Sequence, residues 1–312
     1  MQTPNPKSSM SKPETRSLVH GWLVLDKPLG LTSTQALGRA RRLLGGKKAG
    51  HGGTLDPLAT GILPLAFGEA TKLIPYIMDG DKEYEFTVRW GESRSTDDAE
   101  GAVTATSDIR PDAEQIKAVL APFVGTIWQK PPAFSAIKVD GARAYDLARA
   151  GETVELAQRQ VKIHKIELIE IIDKDHASLR VSSGKGMYVR SLARDLAVKL
   201  GTFGYVSQLR RTKVGPFTLK NACSMERLEQ LGAENASSTA LLPLKAALWT
   251  IPTLILTPQE AHSLSLGQKI LIRPQHGELF DAPLIFAEHQ GVPAALLEAK
   301  AGEFRILRGF HF

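Results

Sequence analysis

The beginning of the chain passes from a short apolar run to helical spacing. Residues 22–25 are apolar and are followed by turn residues, which predicts a strand. The next apolar positions recur at helical spacing, and Ser33 or Thr34 is expected to cap this helix at its N-terminus. Gly45 and Gly46 are expected to end it, because glycine is common just past the last helical turn.

Strand and helix patterns continue through the middle of the chain. Residues 62–67 are mostly apolar and predict a buried strand, whereas residues 84–90 alternate and predict a strand with one apolar face. Asp112 and Gln115 have the spacing of a capping-box variant at the start of a helix that stops before Pro122.

Two further strands and a helix are predicted next. The strands lie at residues 161–172 and 178–181, and the helix begins near Val189 and ends at Gly201. Arg190 then lies in the first helical turn, where a cation opposes the helix dipole. A nearby carboxylate is therefore expected to pair with Arg190.

The C-terminal part has the pattern of a small separate β domain. Thr257 is expected to cap a short helix, and short strands follow Gly267 with the spacing of a small barrel. We predict a large domain over residues 19–250 and a small one over residues 253–312. Residues 1–18 are polar and lack an apolar signal-peptide core, which predicts a disordered tail.

Composition excludes several classes of protein. The 312 residues are 43% hydrophobic, enough for globular cores. Cys223 is the only cysteine, which rules out an internal disulfide framework and a cysteine zinc site and suggests a reducing, cytoplasmic setting. The histidines have no metal-ligand spacing, so no metal is expected, and no run approaches the ~18 apolar residues of a membrane span.

Charge is distributed unevenly along the chain, whose formal net charge is +6. Residues 180–220 hold nine basic residues and one acid, whereas residues 79–114 hold eleven acids and four bases. This asymmetry favours one face that binds a polyanion and another that faces solvent. The alternative is that each charged run is simply a hydrated surface.

One carboxylate stands out in the glycine-rich segment 50–61. Asp56 is the only acid between Lys27 and Gly68, an interval that contains six positive charges. Four glycines in the segment allow positive φ angles and close approach of another backbone or a ligand. Aspartate before proline is also an ordinary turn signal, so the dipeptide alone leaves both interpretations open.

Several motifs together resemble the tRNA pseudouridine synthase B family. They are the segment Gly-Thr-Leu-Asp-Pro-Leu-Ala-Thr-Gly at 53–61, Asp-Lys-Glu-Tyr at 81–84, a Pro-Pro segment leading to Ser-Ala-Ile-Lys at 135–138, Gly-Met-Tyr-Val-Arg at 186–190, and 209–217. The resemblance implies an α+β pseudouridine synthase fold, with a mixed, largely antiparallel sheet flanked by helices. It also implies a PUA-like RNA-binding β-barrel at the C-terminus.

The resemblance also implies roles for individual residues. Asp56 would be the catalytic aspartate, Arg190 would pair with it, and Tyr84 would stack on the target base. His51 would occupy the space opened by base flipping, and Lys27 would support the loop. Tyr188, Leu209 and Arg211 fall in segments that line the site in the family. Lys130, Lys138 and Arg143 are candidate RNA contacts, with ordinary surface roles equally open.

The function implied is conversion of the uridine at position 55 of the tRNA T loop to pseudouridine. This isomerisation needs no cofactor, and the expected partner is the tRNA T arm, bound by a monomer without an obligatory protein partner. Two other classes stay open. One is a non-catalytic RNA-binding protein or tRNA chaperone; the other is a glycosidase-like hydrolase, which would want a second carboxylate that the loop lacks.

Overall fold

The computed structural model describes residues 19–135, 137–139, 142–144 and 156–312. The predicted tail 1–18 lies outside this part. Within the described residues, the α-helices before residue 250 include α1 (Ser33–Leu44), α2 (Ile74–Asp79), α3 (Ala113–Leu120), α4 (Val189–Lys199) and α5 (Met225–Ala233). The strands are β1 (Gly21–Lys27), β2 (Ala49–His51), β3 (Ala59–Phe67), β4 (Lys82–Trp90), β5 (Glu92–Arg94), β6 (Val103–Thr106), β7 (Gly125–Gln129), β8 (Lys138–Val139), β9 (Ala142–Arg143), β10 (Arg159–Asp173), β11 (His176–Ser183), β12 (Gly204–Val214), β13 (Phe217–Thr218) and β14 (Cys223–Ser224).

Ten of these strands form one mixed sheet. Its order is β14-β1-β3-β12-β4-β11-β10-β7, with β13 paired to β12 and β2 paired to β3. The pairs β1/β14 and β12/β3 are parallel and the others are antiparallel, as the predicted fold class requires. The β12/β3 and β12/β4 pairings bring the end of the glycine-rich loop beside β4, where Tyr84 lies.

A second sheet forms the C-terminal part. It contains β15 (Thr253–Ile255), β16 (Ile270–Leu271), β17 (Ile285–His289), β18 (Val292–Lys300) and β19 (Glu303–Gly309), in the order β15-β17-β18-β19-β16. Helix α6 (Pro258–Ser265) has the predicted Thr257 cap. This part shares a core with the large sheet, since Phe286, Leu296 and Phe310 pack in the same cluster as Trp22.

One predicted helix cap is wrong. Thr32, rather than Ser33 or Thr34, caps α1 and forms a capping box with Gln35. Ser33 is the first helical residue, and its hydroxyl is hydrogen-bonded to Leu55 in the glycine-rich loop. The prediction that Gly45 ends α1 is confirmed, because Gly45 adopts φ +67° at the C-cap.

Candidate active site

The backbone of the glycine-rich loop is fixed by the end of β1 and the start of α1. The buried Ser33 hydroxyl donates to Leu55 O (3.0 Å) and accepts from Leu55 N (2.8 Å). The buried Lys27 ammonium donates to Leu31 O (2.7 Å), Pro28 O (3.0 Å) and Pro57 O (3.4 Å). Burial lowers the pKa of Lys27 to about 8. These bonds hold the residues on both sides of Asp56.

Arg211, on β12, also supports the glycine-rich loop. Its buried guanidinium donates to Ile62 O (2.7 Å), Gly53 O (3.1 Å) and Thr54 O (3.3 Å). The close approach depends on Gly61, since a Cβ there would lie 2.2 Å from Arg211 O and the residue has φ +97°. The structure thus directs the Arg211 donors at backbone carbonyls of the loop and of β3, and its predicted contact with substrate stays a prediction.

Arg190 carries the charge that pairs with Asp56. Its side chain is only 7% exposed, and its Nη2 lies 3.0 Å from Asp56 Oδ2. The guanidinium also donates to Phe134 O (2.9 Å) and Thr96 O (3.1 Å). Arg190 thus meets a carboxylate from the first turn of α4, where its charge alone is unfavourable.

Asp98 is a second carboxylate at the site, and the sequence interpretation missed it. Its Oδ2 lies 3.4 Å from Arg190 Nη1, while its Oδ1 accepts from Thr96 Oγ1 (2.5 Å) and Glu100 N (3.1 Å). Asp98 lies in the acid-rich stretch 79–114, which was interpreted as solvent-facing, yet the residue is buried. Nothing local distinguishes it from neighbouring acids, because its partner comes from a distant helix.

The ionisation of Asp56 reflects opposing influences. Desolvation by the surrounding protein raises the pKa of its carboxyl above the usual 3.8; Arg190 and Lys27 oppose this rise and Asp98 adds to it. The side chain is still 41% exposed. Of the six bases expected around Asp56, Lys27 lowers the pKa of the Asp56 carboxyl, whereas Arg39 forms an ion pair with Glu229.

An open depression gives access to Asp56. Its volume of about 250 Å³ includes space open to solvent, and its lining includes Asp56, Asp98, Arg190, Leu58 and Leu209. The depression therefore presents one accessible carboxylate beside a buried cation and apolar side chains. A group that enters the depression from solvent can therefore reach the Asp56 carboxylate.

Tyr84 and His51 lie on strands that flank the loop. Tyr84 is half-buried on β4, opposite Arg211 of β12 and Val181 of β11. Burial lowers the pKa of the Arg211 guanidinium, and the nearby Tyr84 and Asp56 side chains oppose this lowering. His51 ends β2 with a buried Nδ1 that has no hydrogen-bond partner among the residues described. Burial and Arg211 lower the pKa of His51, which favours the neutral imidazole.

Two of the other predicted RNA contacts, Tyr188 and Lys130, lie near the start of α4. Tyr188 is the N-cap residue, and its backbone exchanges two hydrogen bonds with the Gln129 side chain (2.8 and 3.2 Å). Lys130 is exposed. Lys138 and Arg143 are cross-strand partners in β8 and β9, and their side chains fall outside the described part.

Comparison with known proteins decides the family. Residues 41–189 match the TruB family pseudouridylate synthase N-terminal domain, and residues 190–249 match the tRNA pseudouridylate synthase B C-terminal domain. The curated relatives include a tRNA pseudouridine synthase B of Caulobacter sp. (strain K31), 49% identical, covering 96% of this chain and 99% of the relative. The one of Rhodospirillum rubrum is also 49% identical, covering 96% and 99%.

The chain belongs to the TruB family of pseudouridylate synthases. Solved structures with the same fold include a Cbf5-Nop10-Gar1 complex (TM-score 0.70, 22% identity), covering 97% of this chain and 92% of that chain. Another is an H/ACA RNP bound to a substrate RNA containing 2'-deoxyuridine (TM-score 0.71, 21% identity, covering 98% and 93%). The predicted pseudouridine synthase fold and the family assignment are thereby confirmed.

The sequence predicted neither a metal site nor a membrane span. Among residues 19–135, 137–139, 142–144 and 156–312, no cluster of three His, Cys, Asp or Glu side chains could hold a metal ion. None of the helices described is long and apolar enough to span a bilayer.

Proposed function

We propose that this protein converts the uridine at position 55 of the tRNA T loop to pseudouridine, using Asp56. The observation that carries the proposal is the Asp56–Arg190 pair, 3.0 Å apart on an open depression, in a TruB-family chain. One accessible carboxylate is held by a cation that is itself fixed to two backbone carbonyls. That is the arrangement needed for a preorganised nucleophile or base.

The reaction rearranges bonds within one nucleotide. The bond between N1 of uracil and C1' of ribose breaks, the detached base turns, and C5 joins C1'. C5 then loses its proton and N1 gains one, so atoms and electrons balance without an oxidant or an acceptor. Asp56 acts as an anion, either as a nucleophile or as a base at the ribose. Arg190 orients the carboxylate and offsets the desolvation that favours its neutral form.

Surrounding residues hold the flipped nucleotide. Tyr84 stacks on the base with its hydroxyl near the reacting centre, and Leu209 supplies an apolar wall of the depression. His51, neutral at physiological pH, fills space left in the RNA stack. Lys27 supports the loop, while Tyr188 and Lys130 add contacts near the entrance. Lys138 and Arg143 contribute positive charge to RNA binding.

A hydrolase would use the same pocket differently. Glycosidases commonly pair a carboxylate with a second carboxylic acid that donates a proton. Asp98 is the second acid here, but its oxygens accept from Thr96 and Glu100 and face Arg190. Both of its carboxylate oxygens are thus engaged by groups of the protein itself. Isomerisation, which keeps the base, fits this arrangement better.

A T-arm hairpin assay tests the function. The full-length protein is incubated with the hairpin, without added metal or nucleotide, and pseudouridine is mapped along the RNA. We expect product at the single position 55. Release of free uracil would indicate a hydrolase, and tight binding without product would indicate a chaperone; either result would overturn the proposal. A hairpin with cytidine at that position is the matched substrate control.

A further inference from the structure

One face of helix α4 holds two segments that are distant in sequence. Arg190 donates to Thr96 O and to Phe134 O, as well as pairing with Asp56. The turn at residues 96–98 and the segment at residues 130–134 therefore both contribute to the position of this guanidinium. Any residue that fixes these two segments acts on the Asp56 partner.

Arg194, one helical turn after Arg190, binds the same two segments. Its Nη1 lies 2.8 Å from Asp97 Oδ2, and its Nη2 donates to Lys130 O at 2.9 Å. The buried Ser191 hydroxyl also donates to Lys130 O, at 2.8 Å. Two side chains of α4 therefore hold the Lys130 carbonyl. Lys130 begins the segment 130–134, and the carbonyl at its other end, Phe134 O, accepts from Arg190.

The turn held by Arg194 has an unusual backbone. Asp97 has φ +59°, in the left-handed region that few residues other than glycine adopt. Its carbonyl accepts from Val206 N at 3.1 Å, which joins the turn to the pocket-lining part of β12. Asp98 follows directly and is the second carboxylate partner of Arg190. The Arg194–Asp97 contact thus fixes the turn from which Asp98 and Thr96 O reach Arg190.

A simple surface ion pair is the competing interpretation. Arg194 also lies 3.0 Å from the adjacent Asp195, and exposed pairs contribute little to stability. The Asp97 side chain is mostly shielded, however, at 16% exposure. Its partner also donates to a backbone carbonyl of a second segment. A contact that joins three segments has a positional role that an isolated surface pair lacks.

We propose that Arg194 is a positioning residue for the pseudouridine synthase reaction. It fixes the 96–98 turn and the 130–134 segment, which hold Arg190 against Asp56. The inference rests on the proposed function and adds to it a residue that does not touch the substrate. Arg190, Lys27 and Asp98 are the charged groups that act on Asp56, and Arg194 affects Asp56 only through the placement of Arg190 and Asp98.

The test compares Arg194→Gln with Lys199→Gln, an exposed position in the last turn of the same helix. Single-turnover pseudouridine formation on tRNA is measured over a range of pH, together with tRNA affinity. For Arg194→Gln we expect a rate lower by about tenfold to a hundredfold, with affinity nearly unchanged, since a small misplacement of a reacting group is costly. The acid midpoint of the rate should move to higher pH, because a displaced Arg190 stabilises the Asp56 anion less.

Substitutions at Asp97 separate position from stability. Asp97→Asn tolerates the left-handed backbone and keeps a hydrogen-bond acceptor for Arg194, so it should retain more of the rate than Asp97→Ala. A wild-type rate and pH midpoint in Arg194→Gln would overturn the inference. So would a loss of rate that follows thermal stability while the pH midpoint stays fixed. If the unaltered protein forms no pseudouridine, the proposed function fails instead.

Discussion

Asp56 can attack a sugar or remove a proton only as an anion, yet desolvation and Asp98 both act against that charge. Its pKa lies above 3.8, so at a given acidic pH more of the enzyme is in the neutral, inactive form than for an ordinary aspartate. We predict that the single-turnover rate rises from acid to neutral pH with a midpoint above 3.8. A midpoint at or below that value would contradict this account of the site.

Tyr84 offers a second test at the residue scale. Tyr84→Phe keeps the ring and loses the hydroxyl, whereas Tyr84→Leu loses both. We expect the Phe variant to bind tRNA almost normally but to react very slowly, and the Leu variant to lose binding as well, since base–aromatic stacking is worth about 1–3 kcal/mol. Rates and affinities of both variants are compared with the unaltered protein. Wild-type rates in both would make Tyr84 an ordinary core residue.

Some residues of the site could be predicted from the sequence and others could not. Asp56 and Arg190 stand in recognisable local motifs, and the helix-dipole argument correctly predicted a carboxylate partner for Arg190. Asp98 could not be selected, because its burial depends on a turn packed against α4 and β12. The contacts of Arg211 with the carbonyls of Ile62 and Gly53 were not predicted either, because they depend on how β12 packs beside the loop.

The pairing of β3 with β12 depends on the absence of a side chain at Gly61. Gly61→Ala would place a methyl group 2.2 Å from Arg211 O, whereas Gly30→Ala would meet nothing within 4 Å. Both glycines have positive φ, so the backbone strain is similar and the steric contact differs. We predict a much larger fall in melting temperature for Gly61→Ala, measured by thermal denaturation. Equal changes would show that this close approach is unimportant.

Elements with a strong local pattern were predicted well. The alternation at 84–90, the capping box at Asp112 and the Thr257 cap are confirmed because each depends on neighbouring residues. The cap of α1 was assigned to the wrong residue although Thr32 and Gln35 have capping-box spacing; only the bond from Ser33 to Leu55, 22 residues away, has no local pattern. Ser33→Ala leaves Leu55 N without its buried acceptor, and we expect a loss of about 1–3 kcal/mol in unfolding free energy, measured by denaturant titration. The exposed neighbour substitution Thr34→Ala is the control, and an equal loss there would contradict this role.

The two sheets are joined through a shared core and through polar contacts. Lys72 Nζ donates to Gly309 O (2.7 Å), and His311 N donates to Glu69 Oε2 (3.0 Å). Phe310→Ala in the full chain should therefore cost about 3–5 kcal/mol of stability, as for other buried phenylalanines. The exposed Phe312→Ala is the control, with little change expected in denaturant unfolding. Equal losses of unfolding free energy in the two variants would show that Phe310 contributes no more to stability than an exposed residue.

For the whole molecule, the central claim is that Asp56 performs the chemistry while the rest of the surface binds RNA. Asp56→Asn preserves size and removes the anion, so tRNA affinity should be unchanged or slightly tighter, because a negative charge near phosphate is lost. Pseudouridine should fall below detection in a single turnover. Both quantities are measured on one preparation, with deamidation excluded by mass spectrometry. Retained binding without product is the predicted result, and substantial pseudouridine from the Asp56→Asn variant would contradict the account.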